Sequence, residues 1–145
     1  MLPQFEVAEI TFEQVPGDLP LFFVARWREW RVGVVVGDWK ADGVLVIEDL
    51  RVEEDILLRR KSLFQCEKRM SLLRRGIGRS LLREVIRQAP RLGATELVGK
   101  LAERDLQPRP FLPDWYASEG FKILPAKKVD PPYVKGWIRM RLGPG

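Results

Sequence analysis

Histidine is absent from all 145 residues. That excludes a histidine-based nucleophile relay and most zinc or non-haem iron sites. Any general base must be a carboxylate, a chain of waters, a tyrosine, a lysine or the lone thiol. Cysteine occurs once, at Cys66, so no disulfide forms within the chain and a reducing compartment is expected. With no imidazole to activate it, Cys66 is disfavoured as a nucleophile. No apolar run approaches the roughly 20 residues needed to span a bilayer. The segment Met1 to Glu6 has no basic region leading into a long apolar one, so no signal peptide or membrane partner is expected and a cytoplasmic location follows.

What is present is an ordinary globular mixture, 46% hydrophobic and 31% charged, of a length that suits one domain. The net charge is +5. A modest basic excess suits nucleic acid or a pocket for a polyphosphate. The most specific stretch is Arg74-Arg75-Gly76-Ile77-Gly78-Arg79-Ser80-Leu81-Leu82. Two glycines at a helix start let backbone approach an anion closely, and the unpaired N–H groups of the first turn favour phosphate.

Along the chain, alternation predicts strands over Phe5–Phe12, Leu21–Trp30, Arg31–Trp39 and Val44–Val52. Arg28-Glu29 and Asp42-Gly43 mark two hairpin turns. Glu53 to Leu73 is charged, without glycine or proline, and reads as a long loop with some helical or strand content. Ile77, Leu81, Leu82, Val85 and Ile86 form the apolar stripe of a helix over Gly76–Arg91, with Arg75, Arg79, Arg83 and Arg87 on another face. Gly93 reads as its C-terminal stop. A buried strand over Glu96–Leu101 completes a strand–helix–strand unit. A short helix over Asp114–Glu119, with Asp114 near its N-cap, leads to strands at Phe121–Leu124 and Gly136–Leu142. The order predicts a mixed α/β or α+β domain.

Two of these motifs carry a resemblance. Leu50-Arg51-Val52 followed by Leu73-Arg74-Arg75-Gly76-Ile77-Gly78 resembles the strand and pyrophosphate loop of the GNAT superfamily, the acetyl-CoA-dependent N-acetyltransferases. Trp115-Tyr116-Ala117-Ser118-Glu119-Gly120-Phe121 is similar to the family's aromatic-Tyr-x-x-x-Gly-Phe block. Leu73 departs from the loop pattern, which prefers Gln or Arg there. The resemblance covers roughly residues 21–142. It implies one α/β (α+β) domain over residues 1–145, with a central mixed, mostly antiparallel twisted sheet of six to seven strands flanked by helices. The connection from Val52 to Gly76 is longer than many members have, so residues 53–73 read as an insertion, placed to cover substrate, cofactor or the partner subunit of a homodimer.

The resemblance also implies acetyl-CoA as cofactor and direct acetyl transfer to an amine within a ternary complex. The backbone of Leu50, Arg51 and Val52 would meet the pantetheine arm. The segment Arg74, Arg75, Gly76, Ile77, Gly78, Arg79 and Ser80 would hold the pyrophosphate, with Arg75 and Arg79 favoured for charge-assisted contacts. A backbone N–H near Val52 would polarise the thioester carbonyl. Tyr116 would protonate the departing thiolate, and Glu48, Asp49 or Glu53, with Glu54 nearby, would serve as base. Strand alternation places Glu48 with Leu50 on one face and Asp49 with Arg51 on the other. The acceptor stays open among a small amine, an amino acid, an antibiotic and a protein N-terminus or lysine. Two other readings stand beside this one: a non-catalytic acyl-CoA-binding module on the same fold, and a basic nucleic-acid-binding domain using the clusters at 59–61 and 68–75. No aromatic-rich RNA-binding strand motif supports the latter.

Overall fold

The computed structural model describes residues 4–59 and 67–143. Cys66 and two of the three basic residues at 59–61 lie outside the described residues. Nine strands and three α-helices are built from them. Strands β1 (Ile10–Gln14), β2 (Leu21–Trp27), β3 (Trp30–Ala41) and β4 (Val44–Val52) form an antiparallel meander. The predicted turns are there: Arg28-Glu29 joins β2 to β3, and Asp42-Gly43, with Gly43 at φ 72°, joins β3 to β4. β5 (Asp55–Arg59) and β6 (Lys68–Ser71) pair with each other as a separate two-stranded ribbon. Helix α1 (Ile77–Gln88) leads to β7 (Glu96–Ala102), then α2 (Glu103–Leu106), α3 (Leu112–Ser118), β8 (Lys122–Pro125) and β9 (Val134–Arg141). The main sheet has seven strands in the order β1-β2-β3-β4-β7-β9-β8, and only β4 and β7 run parallel.

Several boundaries differ from the expected ones. Residues Val7–Glu9 form a 3-10 turn, so β1 begins at Ile10 rather than Phe5. Phe5 instead packs on Trp27, ring centroids 5.0 Å apart. Within residues 53–73, Asp55–Arg59 and Lys68–Ser71 supply the expected strand content as the β5–β6 ribbon, and Trp30 Nε1 donates to the Leu57 carbonyl at 3.0 Å to tie it to the sheet. Helix α1 ends at Gln88 because Pro90 follows; a 3-10 turn then runs to Leu92 and closes at Gly93, φ 97°. Asp114 does not cap α3, whose N-cap is Phe111 and whose first turn carries Pro113.

Helix α1 packs on one face of β3 and β4. Leu81, Leu82 and Val85 of the helix and Phe23, Val35 and Leu45 of the sheet are all fully buried. Each such side chain contributes about 1.5–3 kcal/mol relative to exposure. Helix and sheet approach closely at Gly33: a Cβ there would sit 2.8 Å from Leu81 Cδ1. The arginine stripe on the outer face is tied down, Arg79 and Arg83 to Glu119 and Arg87 to Glu84. Among the described residues, no helix is long and apolar enough to cross a membrane.

Candidate active site

The parallel pair makes the site. β4 and β7 are hydrogen-bonded only from Val44 opposite Glu96 to Ile47 opposite Gly99. Beyond that point β4 stays with β3 and β7 with β9, so the two strands part. The backbone of Glu48–Val52 then has no strand on its β7 side, which leaves N–H and C=O groups for another chain of amides to pair with. The register between β3 and β4 slips at the same place: Gly37 faces Ile47 and Val36 faces Asp49, so Glu48 is an extra residue in a bulge. This corrects the expected alternation. Ile47 and Leu50, three apart, both pack on the core that α1 covers, whereas Asp49 and Arg51 share a face as expected and pair with each other.

The gap opens into a cleft of about 570 Å³ on the α1 side. Its walls bring the separate motifs together. Glu48, Asp49, Leu50, Val52 and Glu53 come from β4 and the residue after it; Arg74, Arg75, Gly76, Ile77, Gly78 and Arg79 come from the start of α1; Trp115 and Tyr116 come from α3. Two of the expected residues are not on this wall. Arg51 pairs with Asp49 at 2.9 Å in solvent, and Ser80 already donates its N–H to the Gly76 carbonyl at 3.1 Å.

The start of α1 suits an anion. Gly76 is the N-cap at φ 80° with no side-chain cap, so the first-turn N–H groups are left for an outside acceptor. The left-handed backbone at Gly76, preceded by Arg74 at φ 57°, turns the chain sharply into the helix. Gly78 lies between two walls: a Cβ there would meet Trp115 at 3.6 Å and Val52 at 3.8 Å. Arg75 is held by a bond from Nε to the Ser71 carbonyl at 3.3 Å. Arg79 is bound by Glu119 at 2.6 Å, which limits its freedom to turn toward a phosphate.

Tyr116 packs edge-on against Trp115 and Phe121, centroids 4.9 and 5.7 Å away. Burial, and secondarily the Asp105 carboxylate, pushes its phenol above the ordinary value, so it holds its proton into alkaline pH. Of the candidate bases, Asp49 is paired with Arg51 and Glu53 with Arg31 at 3.2 Å. Glu48 differs in position. It lines the first cleft and also a second, of about 440 Å³, beside Val46, Lys100, Asp105 and Tyr133. Ile47 and Lys100 line both as well, so the two clefts are continuous at the gap in the sheet. Asp105 and Arg104 line both and were missed in the sequence, because α2 is too short to show a period. Among the described residues, no three Cys, Asp or Glu side chains converge on a metal-sized site.

No protein-family model matches the sequence, and no curated protein does. Solved structures do match. Ard1 from Thermoplasma volcanium is similar with TM-score 0.56 and 17% identity, over 83% of this chain and 70% of that one. A GNAT family acetyltransferase from Elizabethkingia anophelis, with acetyl-CoA bound, matches with TM-score 0.56 and 18% identity, over 83% and 75%. The PaiA N-acetyltransferase from Thermoplasma acidophilum, in complex with coenzyme A, matches with TM-score 0.55 and 14% identity, over 83% of this chain and 60% of that longer one. The chain has the GNAT acetyltransferase fold. At these identities the likeness establishes fold, and the chemistry rests on the site.

Proposed function

We propose that this protein is an N-acyltransferase that binds acetyl-CoA in the larger cleft and transfers its acetyl group to an amine entering through the smaller one. The observation that carries the reading is the parting of β4 and β7 after Ile47 and Gly99, with an uncapped glycine helix start on one wall and a protonated phenol on the other. The fit is supported by Gly78, where the small residue leaves space between Trp115 and Val52 that a side chain longer than a methyl would fill. The solved structures of similar fold that hold coenzyme A or acetyl-CoA favour the same ligand.

Acetyl-CoA would supply the activated acyl group as a thioester. The first-turn N–H groups of Ile77, Gly78 and Arg79 hold its pyrophosphate, with Arg74 and Arg75 adding positive charge. The free edge of β4 over Leu50–Val52 pairs with the amides of the pantetheine arm, and a backbone N–H near Val52 polarises the carbonyl. Glu48, at the junction of the clefts, takes the proton that makes the amine a nucleophile. The C–N bond forms as the C–S bond breaks, Tyr116 gives its proton to the departing sulfur, and the proton shed by the nitrogen as it becomes an amide restores the phenol. Burial keeps that phenol protonated at neutral pH. Because thiols titrate near 8.5, proton transfer from it to the thiolate is uphill, drawn forward by restoring the phenol with the proton shed by the new amide nitrogen.

A second reading, acyl-CoA binding without turnover, is favoured by the ion pairs that occupy Asp49 and Glu53. Calorimetry with coenzyme A, joined to release of free thiol from acetyl-CoA over a broad amine panel, separates them. Binding with thiol release supports the transferase, binding without it the second reading, and no binding refutes both.

A further inference from the structure

Next to the second cleft, β3, β7 and the segment after β8 converge on Trp137 of β9. The ammonium groups of Lys40, Lys127 and Lys100 stand 4.2, 5.2 and 5.8 Å from the centre of its indole ring. The indole itself is only 7% exposed. One lysine stem lying over an aromatic ring is ordinary packing. Here three ammonium groups gather within 5.8 Å of one ring centre. Burial, and next the charges of Lys127 and Lys100, push the Lys40 ammonium below its ordinary value, with Asp130 opposing.

Asp130 is the carboxylate that faces them. It accepts from Trp137 Nε1 at 2.8 Å and from the Lys127 backbone N–H at 2.7 Å, and those bonds hold it below the usual carboxylate range. Around the ring itself, one carboxylate stands against three ammonium groups, with Glu48 and Asp105 lining the second cleft on the other side of Lys100. Lys100 belongs to both groups: it lines the second cleft beside Glu48 and closes the cluster around Trp137.

We infer that Lys40, Lys100 and Lys127 bind the anionic group, a carboxylate or phosphate, of the acceptor whose amine reaches Glu48 through the second cleft. The inference rests on the transferase reading for the word acceptor. It narrows the substrate class to amines that carry an acid. Lysines, as point charges on flexible stems, suit either anion, and the ring fixes where those charges gather.

The test uses the full chain, ¹⁵N-labelled and saturated with coenzyme A so that the pyrophosphate loop is occupied. Matched pairs are titrated at constant ionic strength: O-phosphoethanolamine against ethanolamine, and β-alanine against propylamine. The reporters are the Trp137 indole N–H and the Lys100 amide. The acid-bearing member of at least one pair should bind at least about tenfold more tightly than its partner, equivalent to about 1.4 kcal/mol. Which pair responds says whether the anion is phosphate or carboxylate. The preference should vanish in Lys40→Met/Lys127→Met, which keeps the stems over the ring, with Lys127→Met alone as the milder variant. Both lysines are exposed, and a melting curve checks that each variant folds. Equal binding within both pairs, no binding by any of the four, or an unchanged preference in a folded variant would overturn the inference. Failure of coenzyme A to bind in the first step would instead sink the transferase reading and leave the anion site to be judged by the titration.

Discussion

Replacing Gly78 by leucine tests the pyrophosphate loop at the point where sterics and binding separate. Gly78 lies in the first turn of α1, and its would-be Cβ stands 3.6 Å from Trp115 and 3.8 Å from Val52. A methyl group makes ordinary contacts there. Gly78→Ala should therefore stabilise the protein by up to about 1 kcal/mol through helix propensity, raising Tm by roughly 3–5 °C. Coenzyme A affinity should stay within about threefold, since a methyl is too small to close the space beside the backbone. A leucine extends past Cβ and must enter the space between the helix start and Trp115. Crowding costs about 1–3 kcal/mol, partly offset by propensity, so the fold should survive. The anion, however, loses its approach to the backbone. Hydrogen bonds to a charged group contribute about 1.5–3 kcal/mol each, so losing two weakens binding at least about hundredfold. Calorimetry with coenzyme A and melting curves on the three proteins measure both effects. A folded Gly78→Leu variant with native affinity would refute the loop assignment.

Four further outcomes follow from the site. Tyr116→Phe keeps the ring contacts with Trp115 and Phe121, so coenzyme A affinity should be unchanged while turnover falls about 10²-fold. The same residue predicts a pH effect on folding. Its neutral form is favoured in the folded state, so its stabilisation is complete below the ordinary phenol value near 10 and is lost as pH rises through the raised one. Melting curves of Tyr116→Phe should lack that alkaline component. Glu48→Gln should lower turnover about 10²-fold, whereas Asp49→Asn and Glu53→Gln, each already ion-paired in solvent, should change it within about threefold; rates of thiol release decide. Gly76→Ala should cost about 1–2 kcal/mol, because its φ of 80° strains any Cβ although the nearest atom, on Val7, is 4.0 Å away; chemical denaturation reads that cost directly.

The parts of this site that were legible in the sequence are the local ones. Gly76-x-Gly78 before an apolar stripe, and Tyr116 four residues before Gly120, are patterns that a short window contains. The parallel pairing of β4 with β7 followed from the strand–helix–strand order. What escaped depends on neighbours distant in sequence or on elements too short for a period. The bulge at Glu48 arises from the β3–β4 register, which alternation alone does not encode. The four residues Glu103–Leu106 make one turn, so Arg104 and Asp105 went unread. Arg79 looked free for phosphate, and only the fold brings Glu119, with its carboxylate side chain 8% exposed, against it. The lysine cluster joins β3, β7, β9 and the segment after β8 around one tryptophan, and no single stretch carries that signal. The ribbon of β5 and β6 was masked by its charge, although Ile56 and Met70, paired across it, are buried.

The most direct test of the central claim is a coenzyme A titration of ¹⁵N-labelled protein followed at the backbone amides. The account predicts saturable shifts concentrated at Ile77, Gly78 and Arg79 and along Leu50–Val52, the two walls that meet the pyrophosphate and the pantetheine arm. Saturable binding that leaves those amides in place, or no binding at all, would contradict it.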